Sequence, residues 1–520
     1  MERWIMVQRR PSISPLGPLD LLPGVALGIL LGGGLPQMAL AAQGAPAAPP
    51  EVQRMRGGDP LLVAPLDPTF PLLELLVLQR GELPPPIELR GIRLAEYRDG
   101  LASVGAAEEG APGLLGRAIL PDVGSMGWGG GLALDGGWSG REASHPGDPG
   151  GTSLALRGRG WSPHRGGFTL EAELREPFEG DGASGSGVGA AELLELSTTL
   201  TWGGALLTLG RTRPRLGPGR DALLLAGARP LDGIGVANRD PQRLPGFLAG
   251  LGEISFSGSI QRVRKIGEVS DPWYGTLGMT LDPTPSWRMG AIRTAAFGGE
   301  GLPPVTWNRV WGVLSGQHST HSGEFEDQYA ELFTRVVLRP GGRPLSLYLS
   351  VAVNDTEGAI RDDPAFLAGA LFSLAPPGWM GGVRYEYVAF GAEAGLCVWC
   401  GGGRPRTWFR HYVFGAHQVE GGPLGSSLGG YGSRHLLLWQ GWSASGRWSA
   451  MGELAHTERA AGNLFEEEWL GREVQLLLGL GLSPIPAVTV DLTMGVRHPE
   501  AGDRRWAGGL RGSWMVGLWR

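Results

Sequence analysis

Val488-Thr489-Val490-Asp491-Leu492-Thr493-Met494-Gly495-Val496-Arg497 decides the fold class. Its valines, leucine and methionine occupy one parity; Thr489, Asp491, Thr493, Gly495 and Arg497 occupy the other. A period of two marks a β-strand with one face in an apolar medium and one in a polar medium. The same alternation recurs far upstream. Phe168, Leu170, Ala172 and Leu174 oppose Thr169, Glu171, Glu173 and Arg175; Leu194, Leu196, Leu200 and Trp202 oppose Glu195, Ser197, Thr199 and Thr201. Ile254, Phe256 and Ile260 oppose Glu253, Ser255, Ser257 and Gln261, and in the last segment Leu510, Trp514, Val516 and Leu518 oppose Arg511 and Ser513.

Composition agrees. After about residue 125 no linker or compositional break divides the chain, so one large repeated architecture fits its 520 residues better than several domains. Ninety glycines and 19 tryptophans, with 42% hydrophobic residues, suit short strands and turns. Beyond the amino terminus no segment approaches the ~20 apolar residues of a spanning helix. A net charge of −6 gives no reason to expect nucleic acid, and Lys265 is the only lysine, so the positive charge is nearly all arginine. Its planar fork can grip carboxylates and sugar oxygens at two points.

Residues 1–41 have the layout of a signal peptide: Arg3, Arg9 and Arg10, an apolar run over Leu21–Leu31, then Ala39-Leu40-Ala41 as the cleavage site. Residues 42–66, rich in Ala, Pro and Gly, form a flexible lead-in. Residues 67–125 form a periplasmic helical unit: Asp67-Pro68 starts a helix, Leu72, Leu73, Leu75, Leu76 and Leu78 fill its turns, Gly81 caps it, and a second helix runs from about Arg93 to Val104. So small a unit cannot bury its own core and must dock on something.

Residues 126–520 form the β-structure. A soluble sandwich would show the same alternation and stays open at this point. Three features favour a large antiparallel transmembrane β-barrel in the outer membrane: long segments, brief turns alternating with long polar loops, and Trp and Tyr near segment ends. The turns near 162–165, 282–286, 340–344, 375–378, 443–446 and 483–486 then face the periplasm. Loops near 138–150, 175–191, 298–326, 355–364, 390–407, 457–473 and 498–505 face outside. About 18 strands are expected, as in large barrels of this kind, or 20 if 223–236 and 423–427 each hide a short one. The chain is expected to be a monomer in contact with outer-membrane lipid.

Leu209–Val236, LGRTRPRLGPGRDALLLAGARPLDGIGV, interrupts two such strands with arginines, glycines and an apolar triplet. The direction count requires the chain to leave the outer rim here and to return as a strand or fold into the lumen. Leu216-Gly217-Pro218-Gly219-Arg220-Asp221, Leu223-Leu224-Leu225 and Ala228-Arg229-Pro230 resemble the central motif of the capsule assembly Wzi family. Gly421–Gly429 and Phe297–Gly301 resemble two further motifs of that family. The resemblance implies an eighteen-stranded barrel with a periplasmic helical bundle, and a lectin-like role in attaching capsular polysaccharide to the cell surface. Leu216, Gly227 and Ser426 depart from the tryptophan, asparagine and histidine often found in the family, and each change removes a potential sugar-binding group.

Candidate polysaccharide-binding residues are Arg211, Arg213, Arg215, Arg220, Asp221 and Arg229, whose forks could pair with acidic sugars, and Trp307, Arg309 and Trp311, where an indole could stack on a pyranose. Equally, inward arginines could pair with Glu192, Glu195 or Glu253 and merely hold the barrel's shape. Gly425–Gly429 fits G-x-S-x-G, but glycines and a β-segment follow Ser427 where a nucleophile elbow needs a helix. No catalytic residue is therefore assigned. Cys397 and Cys400 suit a small local disulfide in an oxidising compartment. His318 and His321, ahead of Glu324, Glu326 and Asp327, show no diagnostic metal spacing, and without a nucleotide fingerprint no metal or cofactor is expected. A porin-like channel is the rival reading, an outer-membrane esterase the more distant one.

Overall fold

The computed structural model describes parts of 62–93 and most of 129–519. Alternating sequence becomes alternating exposure around one closed antiparallel barrel. Its long strands are β1 (Gly129–Ser139), β2 (Gly151–Ser162), β3 (Gly166–Pro177), β4 (Ala190–Trp202), β5 (Ala205–Thr212), β6 (Leu231–Asn238), β7 (Glu253–Arg262), β8 (Trp273–Thr284) and β9 (Trp287–Phe297). They continue as β10 (Glu326–Leu338), β11 (Leu345–Asn354), β12 (Ala365–Leu374), β13 (Trp379–Phe390), β14 (Gly432–Ser443), β15 (Trp448–Arg459), β16 (Gly471–Ile485), β17 (Val488–Pro499) and β18 (Arg505–Trp519). Among the described residues these eighteen pair in chain order, and Gln242–Arg243 adds a two-residue piece beside β7. The ring closes where β18 meets β1, with Trp519 opposite Gly129.

Polarity is reversed relative to a water-soluble sandwich. On β10 to β17, Leu332, Leu437, Leu454, Leu478 and Leu492 are exposed, whereas Glu331, Arg335, Glu386, Glu453, Glu473 and Arg497 of the opposite parity are buried. In the decisive stretch Val490, Leu492 and Met494 lie on the outer wall and Arg497 points inward. An apolar wall around a polar lumen is the build of a membrane barrel. No described helix is long and apolar enough to cross a membrane.

One end of the barrel carries the short connections, such as 203–204 and 339–344, and the other the long ones, such as 263–272 and 298–325. The connection 239–252 is an exception: fourteen residues at the short-turn end, including a 3-10 turn over Gly246–Leu251. The interruption after β5 does both things the direction count allowed. Residues 213–226 enter the lumen, with Arg215–Leu216 pairing Leu225–Ala226, and the chain then runs back as β6 between β5 and β7.

The core lies inside the barrel. Leu216, Leu223, Leu224 and Leu225 pack with Trp408, Phe409, Phe414 and Leu424, which belong to the long connection after β13, and with inward Tyr329, Phe333 and Phe390. Fully burying each of those leucines stabilises by roughly 1.5–3 kcal/mol. The second inserted segment contains the short ladder of Gln418–Val419 with Gly422–Pro423, which stands apart from the barrel sheet, so the extra barrel strand expected in 423–427 is not formed.

At the short-turn end, helical Glu74, Leu75, Val77 and Leu78 are buried, and Leu75 and Leu78 pack on Val337 of β10 and Leu371 of β12. Gly81 ends the turn with φ +71, donating from its backbone N–H to the Leu78 carbonyl at 2.7 Å, as a C-cap glycine does. Ile92–Arg93 instead forms a strand pair with Leu62–Val63, so the expected second helix does not begin at Arg93. The rest of that helix, the signal peptide and Cys397 and Cys400 lie outside the described residues.

Candidate functional site

Inside the barrel the interrupting stretch meets a ladder of charged side chains contributed by strands that are remote from it in sequence. Glu386, on the inward parity of β13, accepts from the backbone N–H of Arg220 at 2.6 Å and of Asp221 at 3.0 Å. Two successive amides can approach one carboxylate only where no side chain intervenes. A Cβ on Gly219 would lie 2.9 Å from Tyr348 and 3.0 Å from Glu386, and its φ of +78 is the left-handed region that favours glycine. Pro218, Gly219 and their neighbours therefore form a tight bend pressed onto the barrel's inner wall.

Beyond that bend the charges close into a ring. Arg220 Nη1 donates to Glu453 of β15 at 2.6 Å, and Arg434 of β14 lies 3.3 Å from the other Glu453 oxygen. Arg434 also pairs with Asp221 at 3.1 Å, and Ser427 Oγ donates to Asp221 at 3.0 Å. Ser427 is thus a bridge between the two inserted segments, which accounts for its place in the lumen. Asp221 and Glu453 are buried, while the Arg220 side chain is 45% exposed. Its guanidinium is held at one edge and open at another, which is the state a bidentate ligand needs.

Toward the short-turn end the ladder continues through Arg384, which donates to Glu386 at 3.0 Å and to Glu74 of the docked helix. Arg335 donates to the other Glu74 oxygen at 2.6 Å. Burial pushes the Glu74 carboxyl up, but Arg384 and Arg335 outweigh it and hold the group at about 2. A continuous polar seam therefore joins the helix at the short-turn end of the lumen to the inserted loop.

The remaining candidates separate into two sets. Arg211 pairs with Asp232 across β5 and β6 at 3.1 Å, and Arg213 is half-buried. Arg215 is buried, and burial depresses its pKa despite opposition from Glu386, Glu74 and Asp221. Arg220 and Asp221 sit in the ring. Glu195 accepts from Ser197, Asp232 pairs with Arg211, Glu453 with Arg220, and Glu386 accepts from the bend. Trp307 and Trp311 are not brought to this site. They lie on helix α1 (Trp307–Ser315), whose Val310 packs against Ala295 and Phe297 on the outward parity of β9. Arg309 is in the same helix; its side chain, and all of Arg229, His318 and His321, lie outside the described residues. Asp327 faces inward, 2.8 Å from His417 and 2.7 Å from the Tyr329 hydroxyl that donates to it. No group of three metal-ligating side chains occurs among the described residues.

Glu386, Arg384, Glu453, Arg434 and Glu74 were not anticipated. Parity could have found the first two, since Arg384 and Glu386 share the inward face of β13. Glu74 carried its own signal as a lone carboxylate in a leucine-rich helix.

No curated protein matches the chain. Among solved structures it is similar to Wzi of Escherichia coli, described as an outer membrane protein involved in group 1 capsule assembly and a carbohydrate-binding β-barrel. The identity is 16%, over 89% of this chain and 99% of that one, with a TM-score of 0.67. Weaker likenesses are to OccK11 of Pseudomonas aeruginosa, with 13% identity over 75% of this chain and 96% of that one and a TM-score of 0.43, and to OccAB4 of Acinetobacter baumannii, with 10% over 76% and 99% and a TM-score of 0.45. The family model for the capsule assembly protein Wzi matches residues 163–500, which contain the inserted loop, the charged ring and all strands from β3 to β17, and the chain belongs to that family.

Proposed function

We propose that the protein is an outer-membrane lectin-like barrel that binds acidic surface polysaccharide, capsular in kind, and holds it at the cell surface without passing it through the lumen or cleaving it. The long-loop end faces the exterior and the short-turn end, with the Glu74 helix, the periplasm. One observation carries this reading. The stretch that bears the family motif packs inside the barrel, where Glu453 steadies Arg220 as a half-exposed guanidinium. A barrel with this segment packed inside it and an oriented cation suits capture better than conduction, and the porin-like alternative would show itself as conductance of the purified protein in planar bilayers. Ser427, tied to Asp221, serves the plug, so hydrolysis has no part in the proposal. The protein acts as a monomer in lipid and needs no cofactor.

The test is direct binding of the host's own surface polysaccharide to the purified protein. Saturable binding is expected, weakened about tenfold or more by Arg220→Ala, since a hydrogen bond to a charged group contributes ~1.5–3 kcal/mol. Arg213→Ala should weaken it less. A protein that binds no acidic or neutral surface glycan would overturn the proposal.

A further inference from the structure

The first part of the connection between β9 and β10, with Val305 and Val310, lies against the outside of the barrel. On β9, Ile292 and Ala296 belong to the interior core, so Ala295 and Phe297, of opposite parity, face outward. Lower on the same wall the outward residues Trp287, Met279 and Leu277 are exposed, yet Ala295 and Phe297 are fully buried. Their cover is Val310 of α1, with Val305, Ile260 and Trp273 completing the cluster. Outward Gln328 of β10 is buried as well, and its amide donates to Glu326 at 3.1 Å.

Helix α1 then has a wall-facing side and a free side. Trp307 and Trp311, one helical turn apart, are 81% and 64% exposed. Residues four apart project from the same side of a helix, so the indoles stand together, flanking the Val310 contact with the wall and exposed beside it. Their height follows from the strand that carries the helix. Ten residues separate Trp287 from Phe297; at ~3.4 Å per residue and a tilt of about 40° they span roughly 26 Å, the height of an apolar belt. Phe297 therefore marks the belt's outer boundary, the level at which indoles partition between acyl chains and headgroups. Beside it Arg262, over the Trp273 ring at 5.9 Å and 3.3 Å from Asp271, begins the polar edge.

We infer that α1 is an interfacial helix whose Trp307 and Trp311 insert into the lipid of the outer leaflet and not into a glycan. The surface continues the barrel's own apolar wall, and the inference rests on the reading of that wall as membrane-spanning.

The experiment uses the full chain with Cys397 and Cys400 replaced by serine, reconstituted in phosphatidylcholine vesicles and spin-labelled at Trp311→Cys, at Leu478→Cys on the outer wall, or at exposed Glu500→Cys. Power saturation against oxygen and a nickel chelate reports depth. The Trp311 label is expected ~5–10 Å into the headgroup and acyl boundary, the depth of an interfacial helix. The Leu478 label should lie deeper and the Glu500 label in water. A Trp311 label in water beside a Leu478 label in lipid overturns the inference alone; both labels in water overturn the membrane reading beneath it. As a second measure, the double variant Trp307→Ala/Trp311→Ala should retain polysaccharide binding within about twofold, as expected of surface substitutions far from a site. Loss of that binding would assign the indoles to sugar and also overturn the inference.

Discussion

Glu74 shows how much one side chain can hold in this lumen. Its carboxylate is shared by Arg335 and Arg384, both buried, so Glu74→Gln removes the carboxylate common to both guanidinium groups while Arg384 keeps Glu386. Breaking a buried pair in this way costs about 3–5 kcal/mol. The expected outcome is a lower unfolding temperature of the purified protein in detergent, and equal stability would remove Glu74 from the account. Its pH dependence has a defined sign. Because the folded carboxyl sits at about 2, below the ordinary carboxylate value, its contribution is complete above that ordinary value and is lost as pH falls toward about 2. Wild type should therefore lose stability between about pH 4.5 and 2, and Glu74→Gln should lack this component. Arg215 and Arg220 make a second contrast. Buried Arg215→Ala should act chiefly on stability, whereas half-exposed Arg220→Ala should act chiefly on glycan binding.

At the scale of elements, the plug is held by geometry that only its own residues satisfy. Gly219→Ala would place a Cβ against Tyr348 and Glu386 in a backbone region that costs about 1–3 kcal/mol for other residues. Limited proteolysis should cut the 213–230 segment of the variant faster than that of wild type. Replacing residues 213–230 by a short Gly-Ser turn removes Leu223, Leu224 and Leu225 from the lumen core, and planar bilayers should then record conductance that wild type lacks. Unchanged conductance would show that the second inserted segment closes the lumen by itself. The strands were legible in sequence because a period of two survives any register, and the plug's path followed from counting directions. The partners of its arginines were not legible. Alternation tells which residues of β13 to β15 face inward, but which inward carboxylate meets Arg220 depends on how far the bend descends. For Trp307 and Trp311, the loop's polarity suggested the external medium, and no local pattern revealed that Gly298-Gly299 turns the chain down the outer wall, with Gly299 at φ +116.

For the whole molecule, the apolar wall makes position relative to lipid the dominant variable. Leu478→Arg, on the exposed outward face of β16, should destabilise folding into a bilayer by about 2–4 kcal/mol, measured by denaturant titration in vesicles. A neutral result would contradict a lipid-facing β16. The seam joins the first and last long strands, and the Arg220 to Glu453 and Asp221 to Glu386 contacts bridge 233 and 165 positions of sequence. Such non-local pairings form slowly. Glu386 and Glu453, the partners of the inserted loop, both precede Arg505 in the chain, so a chain cut short before Arg505 would keep the loop's partners and lose only the strand that closes the cylinder.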